Sequence, residues 1–109
     1  MERAYWEDKK HYHILHVGDN TITLWDPGMV SEGLFGENID AFTFSGKMPG
    51  GVMFSNHRLQ ENDLEHAKRK IVEIYLEQCR VAAEQYKRIL AYCYECTEAL
   101  EVPFSVKEA

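Results

Sequence analysis

The sequence predicts an α+β protein in which a four-stranded antiparallel sheet, made of two hairpins, packs on one long C-terminal helix. Two observations indicate this class. Residues 1–61 contain β-rich runs separated by turns with Gly or Pro. Residues 62–101 contain neither, and their apolar side chains recur every three or four positions, as in a helix. We therefore expect a single domain of 109 residues, with a β-rich half at 1–61, a long helix at 62–101 and a tail at 102–109.

Both hairpins are predicted from turn residues between apolar runs. The first covers residues 11–26, with its turn at 18–20 and the alternation Thr-Ile-Thr-Leu-Trp after it. Asp-Pro-Gly at 26–28 ends that strand, because proline cannot donate to a ladder and glycine permits positive φ. The second hairpin covers residues 39–56 around a turn at 47–51. Alternation places Phe42 and Phe44 on one face of the first strand of this hairpin, and Val52 and Phe54 on one face of the second.

The helix is predicted to begin at Asn62, an N-cap residue type followed three positions later by Glu65 in a capping-box pattern. Pro103 marks its end. Such a helix would be about 55 Å long. This length exceeds what a small four-stranded sheet can cover, so we expect either a break near the middle or a far half that packs on something else.

One apolar stripe runs along the predicted helix, and charged residues occupy the opposite side. All three cysteines lie in this stripe, where they are expected to be buried as small apolar side chains. The stripe keeps a near-heptad spacing through its second half. We therefore predict a homodimer in which the distal helices pack on each other through Tyr86, Ile89, Cys93 and Leu100.

A metal site is the alternative use of the cysteines. Cys93 and Cys96 have C-x-x-C spacing, and His11 and His13 form an H-x-H pair on a predicted strand. The four side chains would suit tetrahedral zinc if the strand and the end of the helix met. Burial in a helix is the competing reading of the cysteines. A half-exposed polar strand is the competing reading of His11, His13 and His16.

Charge placement bears on the class of partner. The net charge is −6, and no Lys or Arg lies between Lys10 and Lys47, a span that contains five carboxylates. Because a basic stripe is absent, direct nucleic-acid binding is not expected, whereas a protein with a basic surface is. The chain has no apolar run long enough to cross a membrane and no secretory signal pattern. Three cysteines in this context favour the reducing cytoplasm.

The 26–40 segment is the candidate binding loop. It places apolar side chains among acidic ones, with three glycines for conformational freedom. Leu34 and Phe35 are the expected anchors, and Glu32, Glu37 and Asp40 are the expected steering charges. The alternative is that the apolar residues of the loop fold back and cap the sheet.

Catalytic motifs are not recognisable in the sequence: the spacing supports neither a Ser-His-Asp arrangement nor a glycine-rich phosphate loop. We expect a non-enzymatic interaction module that occupies a surface of a basic or nucleic-acid-binding protein. Small acidic inhibitors encoded by phages and mobile elements, which block host enzymes, offer an analogy of size and charge. A zinc-binding protein that uses His11, His13, Cys93 and Cys96 is the alternative.

Overall fold

The structure is a computed structural model that describes residues 3–100, and the side chains of residues 3–95. Within this part of the chain, five strands form one antiparallel sheet in the order β1-β2-β3-β6-β7. They are β1 (Ala4–Asp8), β2 (Tyr12–Val17), β3 (Asn20–Trp25), β6 (Thr43–Lys47) and β7 (Met53–Arg58). A separate small hairpin contains β4 (Ser31–Glu32) and β5 (Glu37–Asn38), and the helix α1 covers Leu64–Leu100.

The predicted α+β class is confirmed, but the prediction of four strands was wrong. β1 is the additional strand, and it pairs with β2 from Ala4↔Val17 to Asp8↔His13. Its sequence, AYWED, ends in charged residues and does not alternate clearly, so it does not have the pattern of a strand. Because β1 is the outermost strand and pairs on one side only, it can carry such residues at the surface.

The helix covers one face of the sheet, and the strand register shows which side chains meet it. One row across the sheet contains Trp6, Leu15, Ile22, Gly46 and Phe54 as successive partners. Glycine is required in this row, because a Cβ on Gly46 would lie 2.7 Å from the Cδ1 atom of Ile22 and 3.0 Å from the backbone oxygen of Thr21. The row therefore packs closely under the helix without a gap beside Ile22, which is fully buried.

The core lies between this face and the first half of α1. Ala67 and Ile71 are fully buried from the helix side. The residues of the core cluster are Leu15, Ile22, Leu24, Phe42, Phe44, Met48, Leu59, Ala67 and Ile71. In the second hairpin, Phe42 and Phe44 share the buried face as predicted, and Phe54 packs against the cluster. Val52 is 42% exposed. It precedes β7 and lies outside the sheet ladder.

Asp63, and not the predicted Asn62, caps the helix. The backbone N–H of His66 donates to Asp63 Oδ1 at 2.9 Å, and His66 Nδ1 lies 2.6 Å from Asp63 Oδ2. This arrangement satisfies one of the donors that the first turn of a helix leaves without a partner. The backbone hydrogen bond is the largest cause of a lowered pKa for Asp63.

The helix is continuous for 37 residues, so the mid-helix break, one of the two alternatives expected from the sequence, does not occur within Leu64–Leu100. Among the helix residues with described side chains, Ala82 is the last that is buried. It packs under the 47–51 turn, where a Cβ on Gly50 would lie 3.3 Å from the Cβ of Ala82. Residues 83–100, called the overhang below, continue the helix for about 27 Å past Ala82.

β7 is the opposite outer strand and is irregular. The register between β6 and β7 shifts between Phe44 and Gly46, and Asn56 has a positive φ of 47°. The hydroxyl of Ser45 accepts a hydrogen bond from the backbone N–H of Asn56 at 2.8 Å and donates to its Oδ1 at 3.2 Å. The extra residue of the bulge is therefore held by hydrogen bonds to one side chain on the neighbouring strand.

Candidate functional site

The small hairpin β4–β5 forms an arm attached to the end of β3 by its base. The backbone N–H of Gly28 donates to the Ile39 carbonyl, and the N–H of Ile39 donates to the Val30 carbonyl, both at 2.8 Å. The Ile39 side chain is buried. Gly28 adopts φ 82°, which lets the chain turn away from β3 directly after Pro27. These contacts fix the base of the arm beside the end of β3.

The tip of the arm is a tight turn with two apolar corners. The N–H of Gly36 donates to the carbonyl of Gly33 at 3.3 Å, which makes Leu34 and Phe35 the two central residues of a β-turn. Gly33 and Gly36 both have positive φ, a conformation that other residues rarely adopt. Leu34 is 93% exposed and Phe35 is 85% exposed. Two large apolar side chains therefore point into solvent from the end of an anchored arm.

The structure separates the apolar residues of the loop into two groups. Ile39 is buried at the base, and Val30 is half-buried. Leu34 and Phe35 do not fold back onto the sheet, and Met29 is 45% exposed. The core-capping alternative, which concerned Met29, Val30, Leu34 and Phe35, is therefore wrong for Leu34 and Phe35.

Carboxylates surround the arm unevenly. Glu32 and Glu37 are direct partners across the small hairpin, an arrangement in which like charges repel. Arg58, at the end of β7, reaches Glu32 with its Nη2 atom 2.7 Å from Oε1. Asp40 is exposed near the base. One of the three predicted steering charges thus has a basic partner, and all three lie at the surface.

A polar cluster around the buried His13, which the sequence reasoning missed, joins the base of the arm to β1 and β2. His13 is 5% exposed and faces the helix side of the sheet. Its Nδ1 lies 2.7 Å from Asp8 Oδ1, and its Nε2 lies 2.9 Å from Asp26 Oδ1. Both carboxylates can accept from an imidazolium, which carries a proton on each nitrogen. His13 therefore connects β1, β2 and the residue from which the arm departs.

Lys68 brings the helix into the same cluster. Its ammonium lies 2.7 Å from Asp8 Oδ1 and 5.3 Å from the centre of the Trp6 ring. Hydrogen bonds from Lys68, and then from His13, lower the pKa of Asp8. One signal in the sequence was available. Asp8 follows Trp6 by two positions and His13 precedes Leu15 by two, so each pair shares one face of its strand, the face that the helix covers. The predicted half-exposed polar strand is therefore wrong for His13.

The alternative zinc site is not assembled by the described chain. His11 is exposed, and His13 already contacts carboxylates through both ring nitrogens. Lys68 contacts Asp8, which also contacts His13, so Lys68 is the part of the helix next to His13. Cys93 follows Lys68 by 25 positions, which is about 37 Å along the helix. The Cys96 side chain lies outside the described residues. Among the described residues, no group of three or more His, Cys, Asp or Glu is placed to hold a metal ion.

The predicted dimer residues lie on the overhang. Tyr86 and Ile89 are 68% and 54% exposed, and Cys93 is half-buried. The side chain of Leu100 lies outside the described residues. The expectation that all three cysteines are buried was wrong for Cys79, which is exposed. It lines an apolar pocket between α1 and the strands β1 and β2, together with Ala4 and Val17.

Comparisons with protein-family models, with curated proteins and with solved structures give no match for this chain. In the described part of the chain, no helix is both long and apolar enough to cross a membrane. The geometry of the arm and of the overhang is therefore what bears on function.

Proposed function

We propose that this protein is a non-enzymatic interaction module that binds a partner protein through the tip of the β4–β5 arm. The observation that carries the proposal is the exposure of Leu34 and Phe35 at the two corners of a constrained turn. Keeping such side chains in water gives the free protein no stability, whereas burying them in a partner's pocket is favourable. The anchored base of the arm lowers the entropy that binding must remove.

The charges around the tip favour a basic partner. Between Lys10 and Lys47 the chain has carboxylates and no Lys or Arg, and Arg58 is the basic side chain that contacts the arm. A partner with an apolar pocket and a basic rim would match the tip and its surroundings. The zinc-binding alternative has no comparable support from the placement of His13 and Cys93.

A nucleic-acid-binding enzyme is the partner class that we infer from this match. Its basic groove would accept the acidic arm, and the module would then inhibit by occupying it. Small inhibitors from phages and mobile elements act in this way by analogy of size and charge. The three cysteines favour the reducing cytoplasm as the compartment.

The first test identifies the partner by comparing two baits. Proteins captured by the wild-type chain and by Phe35→Ala are quantified in parallel by mass spectrometry. Met53→Ala is the matched control, because Met53 is also largely exposed (67%) but lies outside the arm. A partner of the arm is captured by the wild type and by Met53→Ala, and is depleted with Phe35→Ala.

The second test separates anchors from steering charges with the purified partner. Phe35→Ala should speed dissociation and weaken the binding free energy by about 2 kcal/mol if Phe35 is a hot spot. A triple variant, Glu32→Gln, Glu37→Gln and Asp40→Asn, should slow association and flatten its salt dependence. DNA should compete with the chain for the partner. Binding that is insensitive to both sets of changes would contradict the proposed function.

A further inference from the structure

β1 is an outer strand whose free edge carries backbone groups that the sheet does not use. The carbonyl of Arg3 accepts from the Gly18 N–H at 2.7 Å, and the N–H of Lys9 donates to the Tyr12 carbonyl at 2.9 Å. In an antiparallel ladder, the N–H and C=O of one residue point to the same side, and successive residues alternate. The odd-numbered residues of 3–9 therefore face β2. The backbone groups that point away from the sheet belong to Ala4, Trp6 and Asp8.

This edge lacks the features that usually protect an outer strand, namely a bulge, a proline, an unpaired charge or a covering segment. Five consecutive residues of β1 pair with β2 without a register shift, and none of them is proline. Both acidic side chains of β1 have basic partners: Glu7 Oε1 lies 2.9 Å from His16 Nε2, and Asp8 Oδ1 lies 2.7 Å from Lys68 Nζ. No strand among the described residues pairs with the outer side of β1. The edge can therefore accept a further strand.

We propose that β1 pairs with β1 of a second copy of this chain, antiparallel and about a two-fold axis at Tyr5, so that the two sheets join into one. The proposal does not depend on the arm or on any partner that the arm binds. It also uses a different surface from the distal helix positions predicted from the sequence. Ala4 of each copy exchanges backbone hydrogen bonds with the partner's Trp6, as in a regular antiparallel ladder.

The charges along β1 select this register. An axis at Tyr5 sets Arg3 opposite the partner's Glu7, and it does so twice in the dimer. An axis at Trp6 would set Arg3 opposite the partner's Lys9, and an axis at Glu7 would set the two Glu7 carboxylates opposite each other. Opposite charges in facing positions stabilise a ladder, whereas like charges destabilise it. Of these three registers, only the one centred on Tyr5 brings opposite charges together.

The same register sets Asp8 opposite Glu2 of the partner subunit, which lies outside the described residues. The charge of Asp8 is already matched within its own copy, because Lys68 Nζ and His13 Nδ1 each lie 2.7 Å from Asp8 Oδ1. Repulsion at this end of the ladder is therefore weak.

The helix-covered face of the edge is matched in size. Ala4 lines an apolar cavity of about 260 Å³ between α1 and the strands β1 and β2, which is bordered by Val17, Tyr75 and Leu76 among others. Leu76 is 63% exposed there. The partner's Trp6 faces Ala4 across the ladder, so its large ring lies beside this cavity. Each copy thus places a large side chain next to the small one of the other.

The dimer leaves the arm of each copy accessible. The arm departs from β3 and contacts Arg58 at the end of β7, which is the outer strand opposite β1. The two arms therefore lie towards the two outer ends of the joined sheet.

Exchange of charges tests the register, in sedimentation velocity of the full chain at tens of micromolar and low ionic strength. The wild type is expected to be a dimer. Arg3→Glu alone and Glu7→Arg alone should each weaken self-association about tenfold, because each sets like charges in facing positions at both ends of the ladder. An equimolar mixture of the two variants should recover the dimer, since each acid of one copy then faces an arginine of the other. Arg88→Glu is the matched control, because it makes the same change in charge at an exposed position of the overhang and should leave the dimer intact.

The backbone pairing is tested separately. Ala4→Pro removes an outward-pointing N–H at the first residue of an outer strand, where proline is compatible with a sheet, so it should give a folded monomer. Ala4→Ser keeps this N–H and should remain a dimer. In the wild type, hydrogen exchange of the Trp6 amide should slow at least about tenfold as the concentration rises through the range of dimerisation.

Four outcomes would contradict the proposal. A monomeric wild type would overturn it, and so would exchange at Trp6 that does not depend on concentration. A mixture of Arg3→Glu and Glu7→Arg that associates no more tightly than either variant alone would also overturn it. Loss of the dimer in Ile89→Asp but not in Ala4→Pro would assign the association to the overhang instead.

Discussion

Two phenylalanines in the same chain allow the stability contributions of an exposed and a buried ring to be compared. Phe35 is 85% exposed at the tip of the arm, and Phe44 is fully buried in the sheet. Complete burial of a phenylalanine side chain contributes about 3 kcal/mol, so the fraction that Phe35 buries is worth about 0.4 kcal/mol. Phe35→Ala should therefore hardly change the free energy of unfolding.

Phe44→Ala should behave very differently. Its ring contacts those of Phe54 and His57, with centroids 5.0 and 5.1 Å apart, so truncation removes these contacts and leaves a cavity under the helix. The cost expected for such a change is about 3–5 kcal/mol. For a domain of this size, that corresponds to a fall in melting temperature of about 15 °C.

The assay is urea unfolding followed by tryptophan fluorescence, with thermal melts as a second measure. Equal slopes of free energy against urea would show that both variants unfold from a comparable native state. The reasoning fails if Phe35→Ala lowers the free energy of unfolding by more than about 1 kcal/mol. That result would mean that the ring packs inside, and Phe35 could then not be the anchor of a binding site.

Three further changes test other parts of the structure. Asp63→Ala should lower the melting temperature by removing the helix cap, while Asn62→Ala should leave it unchanged; the reverse order would restore the predicted cap at Asn62. The pKa of Asp8 is lowered in the folded state, so its stabilising effect is complete above about pH 4 and is lost as the pH falls below that value. Unfolding measured from pH 5 to pH 2 should therefore show a shallower loss for Asp8→Asn than for the wild type, and identical slopes would contradict the ion pair. Gly46→Ala should cost about 1–3 kcal/mol, because the new Cβ would contact Ile22 in a fully packed row; calorimetry showing no change would refute this packing.

The helix and the two main hairpins were predictable because many residues repeat one pattern. The helix period is carried by 37 residues, so errors at single positions do not matter. Its start is decided by a single hydrogen bond, and both Asn62 and Asp63 are good capping types. The prediction therefore missed the cap by one residue. β1 was missed because five residues with charges at one end carry too little periodicity.

The candidate site was predictable as a segment but not in its internal arrangement. Composition identified the 26–40 loop, but it could not separate Ile39, which packs inward, from Leu34 and Phe35, which do not. That difference depends on a hairpin whose strands are two residues long and on a turn between Gly33 and Gly36. The local sequence pattern does not specify either of them. The cluster at His13 depends on contacts between residues far apart in sequence, so the sequence alone could not show it.

The bulge in β7 has a consequence for how the protein can aggregate. An outer strand normally offers free backbone groups to which another chain can add a strand. In β7 the register shift beside Gly46 and the positive φ of Asn56 interrupt the regular spacing of those groups, and Ser45 holds the irregular backbone in place. A straight strand from a neighbouring molecule could match only a short part of this edge. Growth of the sheet from copy to copy is thus disfavoured on this side, even at concentrations at which the chains associate through other surfaces.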